Sequence, residues 1–285
     1  MTITTVGVIG AGAMGSGIAN LAASSGFQVI IHDIEEKYLL NGMARIEKFM
    51  QKSVEKGKIT ESEKADVLER IRITTNLEDI KEVDIVIEAV IENLDVKKDV
   101  FSRLDELLPK DVIIATNTSS MSITILGEAT KRPERVAGMH FFNPAQIMKL
   151  VEVVRGYKTS DETVEEIKAF AEKLNKVPIE VKKDVPGFIV NRIMIPQFIE
   201  AIKLLEEGVA SAEDIDKAVT LGLNYPMGPF TLQDYAGVDI GYHVMEYFKN
   251  EFNDDRFAPP LLIKQLVRAG RLGKKTGAGF YDYNK

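Results

Sequence analysis

The sequence predicts an α/β chain: a doubly wound, largely parallel sheet with an inserted helical pair, followed by an all-α C-terminal domain. Three observations predict it. Short β-rich runs alternate with helically spaced segments up to about Lys183. A glycine-rich turn, Gly10-Ala-Gly12-Ala-Met-Gly15, joins the first of those runs to the first helical segment. After Asp184-Val-Pro186-Gly187 the periodicity changes and no clear strand follows. The expected domains are residues 1–183 and residues 184–285.

Taken in order, Thr4–Ile9 reads as a strand, Met14–Ser25 as a small-residue helix stopped by Gly26, and Gln28–His32 as a second strand ending at Asp33. A lone G-x-G-x-x-G means little. Here it lies between strand and helix with an acid at the right distance beyond, the order of a Rossmann-type dinucleotide fingerprint. Gly10 permits the tight turn, Gly12 lets backbone approach a pyrophosphate, and Gly15 lets helix and strand pack closely. The helix N-terminus then offers N–H donors to phosphate. Asp33 accepts from ribose hydroxyls and repels a 2′-phosphate. No Arg lies in Ile34–Leu40, and Lys37 is the one nearby cation. NAD is therefore the expected cofactor, with NADP the less favoured one.

Glu35–Arg72 is highly charged and Pro-free, and reads as two helices broken near Gly57-Lys-Ile-Thr60, where Thr60-Glu-Ser-Glu63 resembles a capping box. Lys48, Lys52 and Lys56 share one helix side by their spacing, with Lys58 beyond. Such a run is commonly a solvated face; its functional reading is a phosphate-binding ridge. Val83–Ala89, Val112–Thr116, Arg135–His140, Lys149–Arg155 and Val177–Val181 read as further strands. Val96–Leu108 and Asp161–Leu174 read as helices. In the second domain Phe188–Glu207, Ser211–Leu221, Thr231–Asn250 and Pro260–Ala269 carry helical spacing. That domain is small and apolar, and domains of this kind often form homodimers.

Composition narrows the chemistry. The 285 residues carry 36 Lys plus Arg against 43 Asp plus Glu, a net charge of −7, with three His and no Cys. Thiol catalysis, disulfides, iron–sulfur clusters and thiolate zinc sites are thereby excluded. The three histidines show no metal-ligand spacing, so no metal is expected. An acidic pI argues against nucleic acid. No run of 18 apolar residues occurs, so no membrane span is expected. The opening Met1-Thr-Ile-Thr-Thr-Val has no basic n-region, which makes the cytoplasm the expected compartment.

In a doubly wound sheet, ligands bind beyond the carboxyl ends of the strands. Glu92, Asn93, Asn117, Ser119, His140 and Asn143 concentrate there. A His ending an apolar strand is more often a satisfied core residue. Glu152, inside Leu150-Val-Glu152-Val-Val154, changes the weighing. A buried carboxylate needs a partner, and a histidine on a neighbouring strand would be one. Such a pair orients the ring and stabilises imidazolium. Asn117 and Ser119 by themselves read as helix-capping residues. No G-x-S-x-G elbow surrounds Ser119. Asn191, in the first turns of the domain-opening helix, reads alone as a surface or capping residue. Lys275, in a Gly-rich basic ending, is placed to reach an anionic ligand if Phe280 and Tyr281 pack down.

Seven motifs together resemble the L-3-hydroxyacyl-CoA dehydrogenase family, within it the stand-alone 3-hydroxybutyryl-CoA members. They are VGVIGAGAMGSGIA (6–19), EAVIENLDVKK (88–98), TNTSS (116–120), GMHFFNPAQIMKLVEVV (138–154), DVPGFIVNRIM (184–194), LGLNYPMGPFTLQDYAGVD (221–239) and GKKTGAGFYDY (273–283). The resemblance implies reversible, NAD-dependent oxidation of a 3-hydroxyacyl-CoA by hydride transfer. It makes His140 the general base and Glu152 its orienting partner, with Ser119 and Asn191 on the reacting oxygen and thioester. It gives Gly10, Gly12, Gly15 and Asp33 the adenosine side of the dinucleotide. Glu92, Lys97, Asn117, Ser119, Asn143 and Lys275 match further cofactor contacts, and Lys52 and Lys56 match contacts to CoA phosphates. Two other readings compete: a dehydrogenase of a small hydroxy acid, and a non-catalytic dinucleotide-binding protein on the same fold.

Overall fold

The structure is a computed structural model that describes residues 3–284. Met1 and Thr2, part of the opening segment read for a targeting signal, lie outside the described residues, as does Lys285. The chain divides into two compact units, Met1–Val185 and Pro186–Lys285.

The first unit is built on eight strands: β1 (Thr5–Ile9), β2 (Gln28–His32), β3 (Ile71–Thr74), β4 (Ile85–Glu88), β5 (Ile113–Thr116), β6 (Val136–Phe141), β7 (Leu150–Arg155) and β8 (Val177–Val181). Their order across the sheet is β3-β2-β1-β4-β5-β6-β7-β8. All neighbours run parallel except β6 and β7, which are antiparallel. The order reverses between β1 and β4, the switch point at which such sheets bind ligands. Among the described residues, six α-helices accompany the sheet: α1 (Ala13–Ser24), α2 (Glu36–Glu55), α3 (Glu61–Glu69), α4 (Leu94–Leu107), α5 (Ile123–Glu128) and α6 (Asp161–Lys173). Helices α2 and α3 are the inserted pair. Thr60 caps α3 by accepting from the Glu63 N–H, while the Glu63 carboxylate accepts from the Thr60 N–H, so both halves of the box form. The central strands β4, β5 and β6 are buried at every position, which is why their sequences do not alternate and are apolar apart from Glu88, Thr116 and His140 near their carboxyl ends.

One span departs from expectation. Glu35–Arg72, read as two helices, ends in β3. This four-residue edge strand pairs only with β2, and its exposed Arg72 reaches Asp79 at 2.6 Å. A strand so short and half-covered leaves no alternation to read.

The second unit is helical: α7 (Val190–Glu206), α8 (Ala212–Gly222), α9 (Pro229–Ala236), α10 (Val238–Phe252) and α11 (Leu261–Arg268). Their shared core includes Ile202, Phe230, Met245, Phe248 and Ile263. The single helix expected over Thr231–Asn250 is two. Gly237 breaks it at φ +112°, a conformation open to glycine but costly for any other residue. The closing segment packs down through two buried carboxylates. Asp216 accepts from the N–H groups of Phe230 and Thr231, the Thr231 hydroxyl and the Tyr281 hydroxyl. Asp234 accepts from the N–H groups of Phe280 and Tyr281 and from the Tyr283 hydroxyl. No described helix of either unit is long and apolar enough to cross a membrane.

Candidate active site

The glycine turn follows β1 at the switch point. Gly10 has φ +101°, and a Cβ there would stand 2.6 Å from the Ala89 carbonyl oxygen beyond β4. A Cβ on Gly15 would overlap the Gly10 carbonyl. A Cβ on Gly12 would meet nothing within 4 Å, so this glycine keeps space open for something outside the fold. Gly12 is also the N-cap of α1, where no side chain caps the helix and the first-turn N–H groups are left for a ligand. At the end of β2, Asp33 is locked in place: Oδ2 accepts from the Ala11 N–H at 2.7 Å and Oδ1 from the Ile34 N–H at 2.8 Å.

A cavity of about 510 Å³ opens beside these groups, with Gly10, Gly12, Asp33, Tyr38, Ile91 and Arg45 among its lining. His32 lines it too. Burial holds this imidazole below the usual histidine value, against a hydrogen bond to the Thr75 backbone that raises it. Its buried Nδ1 has no hydrogen-bond partner among the described residues. An open glycine cradle, an aimed carboxylate, apolar walls and an unsatisfied ring nitrogen fit the adenosine half of a dinucleotide.

Beyond β4 and β5 a buried ion-pair network holds the loops. Glu88, the last residue of β4, accepts from Lys97 Nζ at 2.6 Å, the Val90 N–H at 2.7 Å and the Thr116 hydroxyl at 2.6 Å. Lys97 is only 1 % exposed and also lies 3.3 Å from Glu92. Glu92 in turn accepts from the Thr118 hydroxyl and from the Ser119 N–H at 3.2 Å. Glu92, Lys97 and Ser119 are thus brought together in one network. Asn117 ties this loop to the next strand, its Oδ1 accepting from the Phe141 N–H at 2.9 Å.

That bond lies beside His140. In the β6–β7 register His140 stands directly opposite Glu152, and its Nδ1 lies 2.7 Å from Glu152 Oε2. Both side chains are buried. The Phe142 ring packs on the imidazole at 4.6 Å between centroids. Of the other histidines, His243 is exposed on α10. Asn143, just past β6, is exposed, and its chain continues into a loop fastened by Lys176 Nζ to the carbonyls of Ala145 and Met148.

Asn191 and Lys275 belong to the second unit. Asn191 occupies the first turn of α7. Lys275 Nζ pairs with Asp239 at 2.6 and 2.8 Å, in the first turn of α10. On the first unit's surface, Lys48 and Lys52 ride α2, Lys56 is its C-cap residue, and Lys58 follows in the turn. All four are exposed, and none makes an ion pair within 4.0 Å among the described residues.

Comparison with known proteins agrees in both units. The family profile described as 3-hydroxyacyl-CoA dehydrogenase, NAD binding domain, matches residues 5–185, and that of the 3-hydroxyacyl-CoA dehydrogenase C-terminal domain matches residues 187–283. The chain belongs to the 3-hydroxyacyl-CoA dehydrogenase family. Among its relatives is a probable 3-hydroxybutyryl-CoA dehydrogenase of Deinococcus radiodurans. The two are 48% identical over 277 residues, covering 97% of this chain and 99% of the relative. A 3-hydroxybutyryl-CoA dehydrogenase of Clostridioides difficile is 47% identical over 278 residues, covering 98% and 99%. The crystal structure of (S)-3-hydroxybutyryl-CoA dehydrogenase from Ralstonia eutropha matches with a TM-score of 0.95 at 45% identity, over 100% of both chains.

Within this dehydrogenase, some residues now prominent were not singled out from the sequence. Glu88 is one, although the signal that drew attention to Glu152, an acid within an apolar strand, is equally present in Ile85-Val-Ile-Glu88. Asp216 and Asp234 are others. Both lie on helices with mixed polarity, where an acid reads as a surface residue.

Proposed function

We propose that this dehydrogenase interconverts (S)-3-hydroxybutyryl-CoA and acetoacetyl-CoA, with NAD as its dinucleotide. The observation that carries the reading is the buried His140–Glu152 pair, 2.7 Å apart, at the carboxyl end of β6. The carboxylate engages Nδ1, which selects the tautomer in which Nε2 accepts a proton. Nε2 takes the 3-hydroxyl proton in oxidation and returns it in reduction, and Glu152 stabilises the imidazolium in between. Ser119 and Asn191 donate hydrogen bonds to the reacting oxygen and the thioester, easing the negative charge that develops there. Bound NAD supplies the acceptor for the electrons that leave C3.

Gly10, Gly12, Gly15 and Asp33 hold the adenosine side of that cofactor. Glu92, Asn117, Asn143 and Lys275 make further contacts. Lys97 contributes from beneath, since its ammonium is spent on Glu88 and Glu92. Lys52 and Lys56 receive the CoA phosphates. In this reading residues 1–183 are the NAD-binding domain, residues 184–285 bind substrate and form a homodimer, and the enzyme works in the cytoplasm.

The test follows NADH consumption with acetoacetyl-CoA, longer 3-ketoacyl-CoAs and free 3-keto acids. Oxidation of NADH with acetoacetyl-CoA is expected. Turnover of the free keto acids without the thioester would overturn the reading.

A further inference from the structure

We propose that Arg45 is a second determinant of dinucleotide choice: a cationic receptor for a ribose 2′-phosphate, held in the adenosine cavity and masked by Asp33. This rests on reading that cavity as the adenosine site. The juxtaposition is at Ala11. Its N–H donates to Asp33 Oδ2 at 2.7 Å, and its carbonyl accepts from Arg45 Nη1 at 3.2 Å. The carboxylate and the guanidinium therefore flank one residue of the glycine turn, and both line the same cavity.

Among the described residues, Arg45 is also the cation of that cavity with no acid paired to it. Arg103, which lines the cavity too, lies 3.8 Å from Asp99, and neighbouring Lys37 is 2.7 Å from Glu35. Arg45 makes no ion pair within 4.0 Å among the described residues. Its one hydrogen bond among the described residues uses a single N–H of a guanidinium that carries five, in a fork suited to phosphate.

The acid at the end of β2 faces the ribose 2′-hydroxyl, and an arginine nearby is what accommodates a 2′-phosphate. Here both stand together. A 2′-hydroxyl satisfies Asp33, whereas a 2′-phosphate meets repulsion from Asp33 and attraction from Arg45. Cofactor choice is then a difference between two opposed charges, with the carboxylate prevailing. Arg45 lies on α2, in the inserted helical pair, beyond the Ile34–Leu40 stretch where sequence reading looks for such an arginine. Only the folded chain returns it to the turn.

The experiment titrates NADH and NADPH directly by nucleotide fluorescence, without acyl-CoA, on the intact enzyme and on Asp33→Asn, Arg45→Met and the double variant. Asp33→Asn is expected to raise the NADPH-to-NADH affinity ratio by about tenfold or more, and adding Arg45→Met should remove most of that gain. No gain, or a gain that persists without Arg45, overturns the proposal. If Asp33→Asn fails to fold, Arg45→Met alone decides. NADPH affinity must fall more than NADH affinity, and equal falls overturn the proposal. Failure of the unaltered enzyme to bind either dinucleotide would instead overturn the underlying reading of the cavity.

Discussion

Glu152 in the first unit and Asp234 in the second are carboxylates each only 1 % exposed, yet the groups around them differ in kind. Glu152 lies against an imidazole, a ring whose nitrogens can carry or release a proton. Asp234 is surrounded by two backbone N–H groups and a tyrosine hydroxyl, which serve there as fixed donors. Burial makes both carboxylates costly to disturb. The partner decides whether that cost maintains a reactive group or only fastens the chain.

The sharpest way to break this contrast is at the ring. In His140→Gln, turnover with acetoacetyl-CoA is expected to fall by about 10²–10⁴-fold, the usual contribution of a general base. NADH binding and the melting midpoint should stay close to those of the unaltered enzyme. Near-normal steady-state rates would remove His140 from the chemistry. Glu152→Gln should also lower turnover, by less, because the ring keeps a hydrogen-bonding neighbour but loses its counter-charge.

Asp234→Asn should do the reverse of His140→Gln. It leaves donors around an amide that cannot accept as the carboxylate does, at an expected cost of about 1–3 kcal/mol. Urea denaturation would measure this cost, and limited proteolysis should then open the closing segment first. An unchanged denaturation midpoint would show that the carboxylate does not fasten that segment.

A smaller effect separates the units by pH. Burial, and then hydrogen bonding to Asp216 and Asp234, raise the Tyr281 and Tyr283 hydroxyls above their ordinary value near 10. A folded-state pKa raised above the unfolded one adds stability that is complete below the unfolded value and lost as pH climbs past it. Melting midpoints should therefore hold steady to about pH 9 and decline beyond pH 10. The decline should be shallower in Tyr281→Phe with Tyr283→Phe, and an identical pH profile in that variant would refute the assignment.

The smallest change is expected where charge is exposed rather than buried. Lys52→Glu with Lys56→Glu should raise KM for acetoacetyl-CoA several-fold and leave KM for NADH nearly unchanged. Equal effects on both would take the ridge out of the CoA site.

The same contrast explains what could be read in advance. The sheet, the glycine turn, Asp33 and the inserted pair were legible because each is local: a short run, a spacing, a cap. The partnership of His140 and Glu152 was legible because an acid inside an apolar strand demands a partner and few histidines exist. The role of Lys97 was not. Lysine near the start of a helix reads as solvent-facing, and only the fold shows it shut beneath the loop against Glu88. Strand β3 was hidden by its length and edge position. The break at Gly237 was hidden because helical spacing resumes at once on either side. Arg45 was hidden by distance along the chain, since its proximity to Ala11 exists only once α2 packs beside α1.

The antiparallel turn from β6 to β7 bears on how the site forms as the chain folds. Most neighbours in this sheet are joined through a crossover helix, so their pairing must await a large loop closing. His140 and Glu152 are only 12 residues apart in sequence and meet across a hairpin. Contacts so near in sequence are the inexpensive ones to make in a folding chain. The proposed reactive pair therefore rests on the most local pairing in the sheet, while the proposed dinucleotide cradle, drawn from β1, β2 and β4, depends on the longer crossovers.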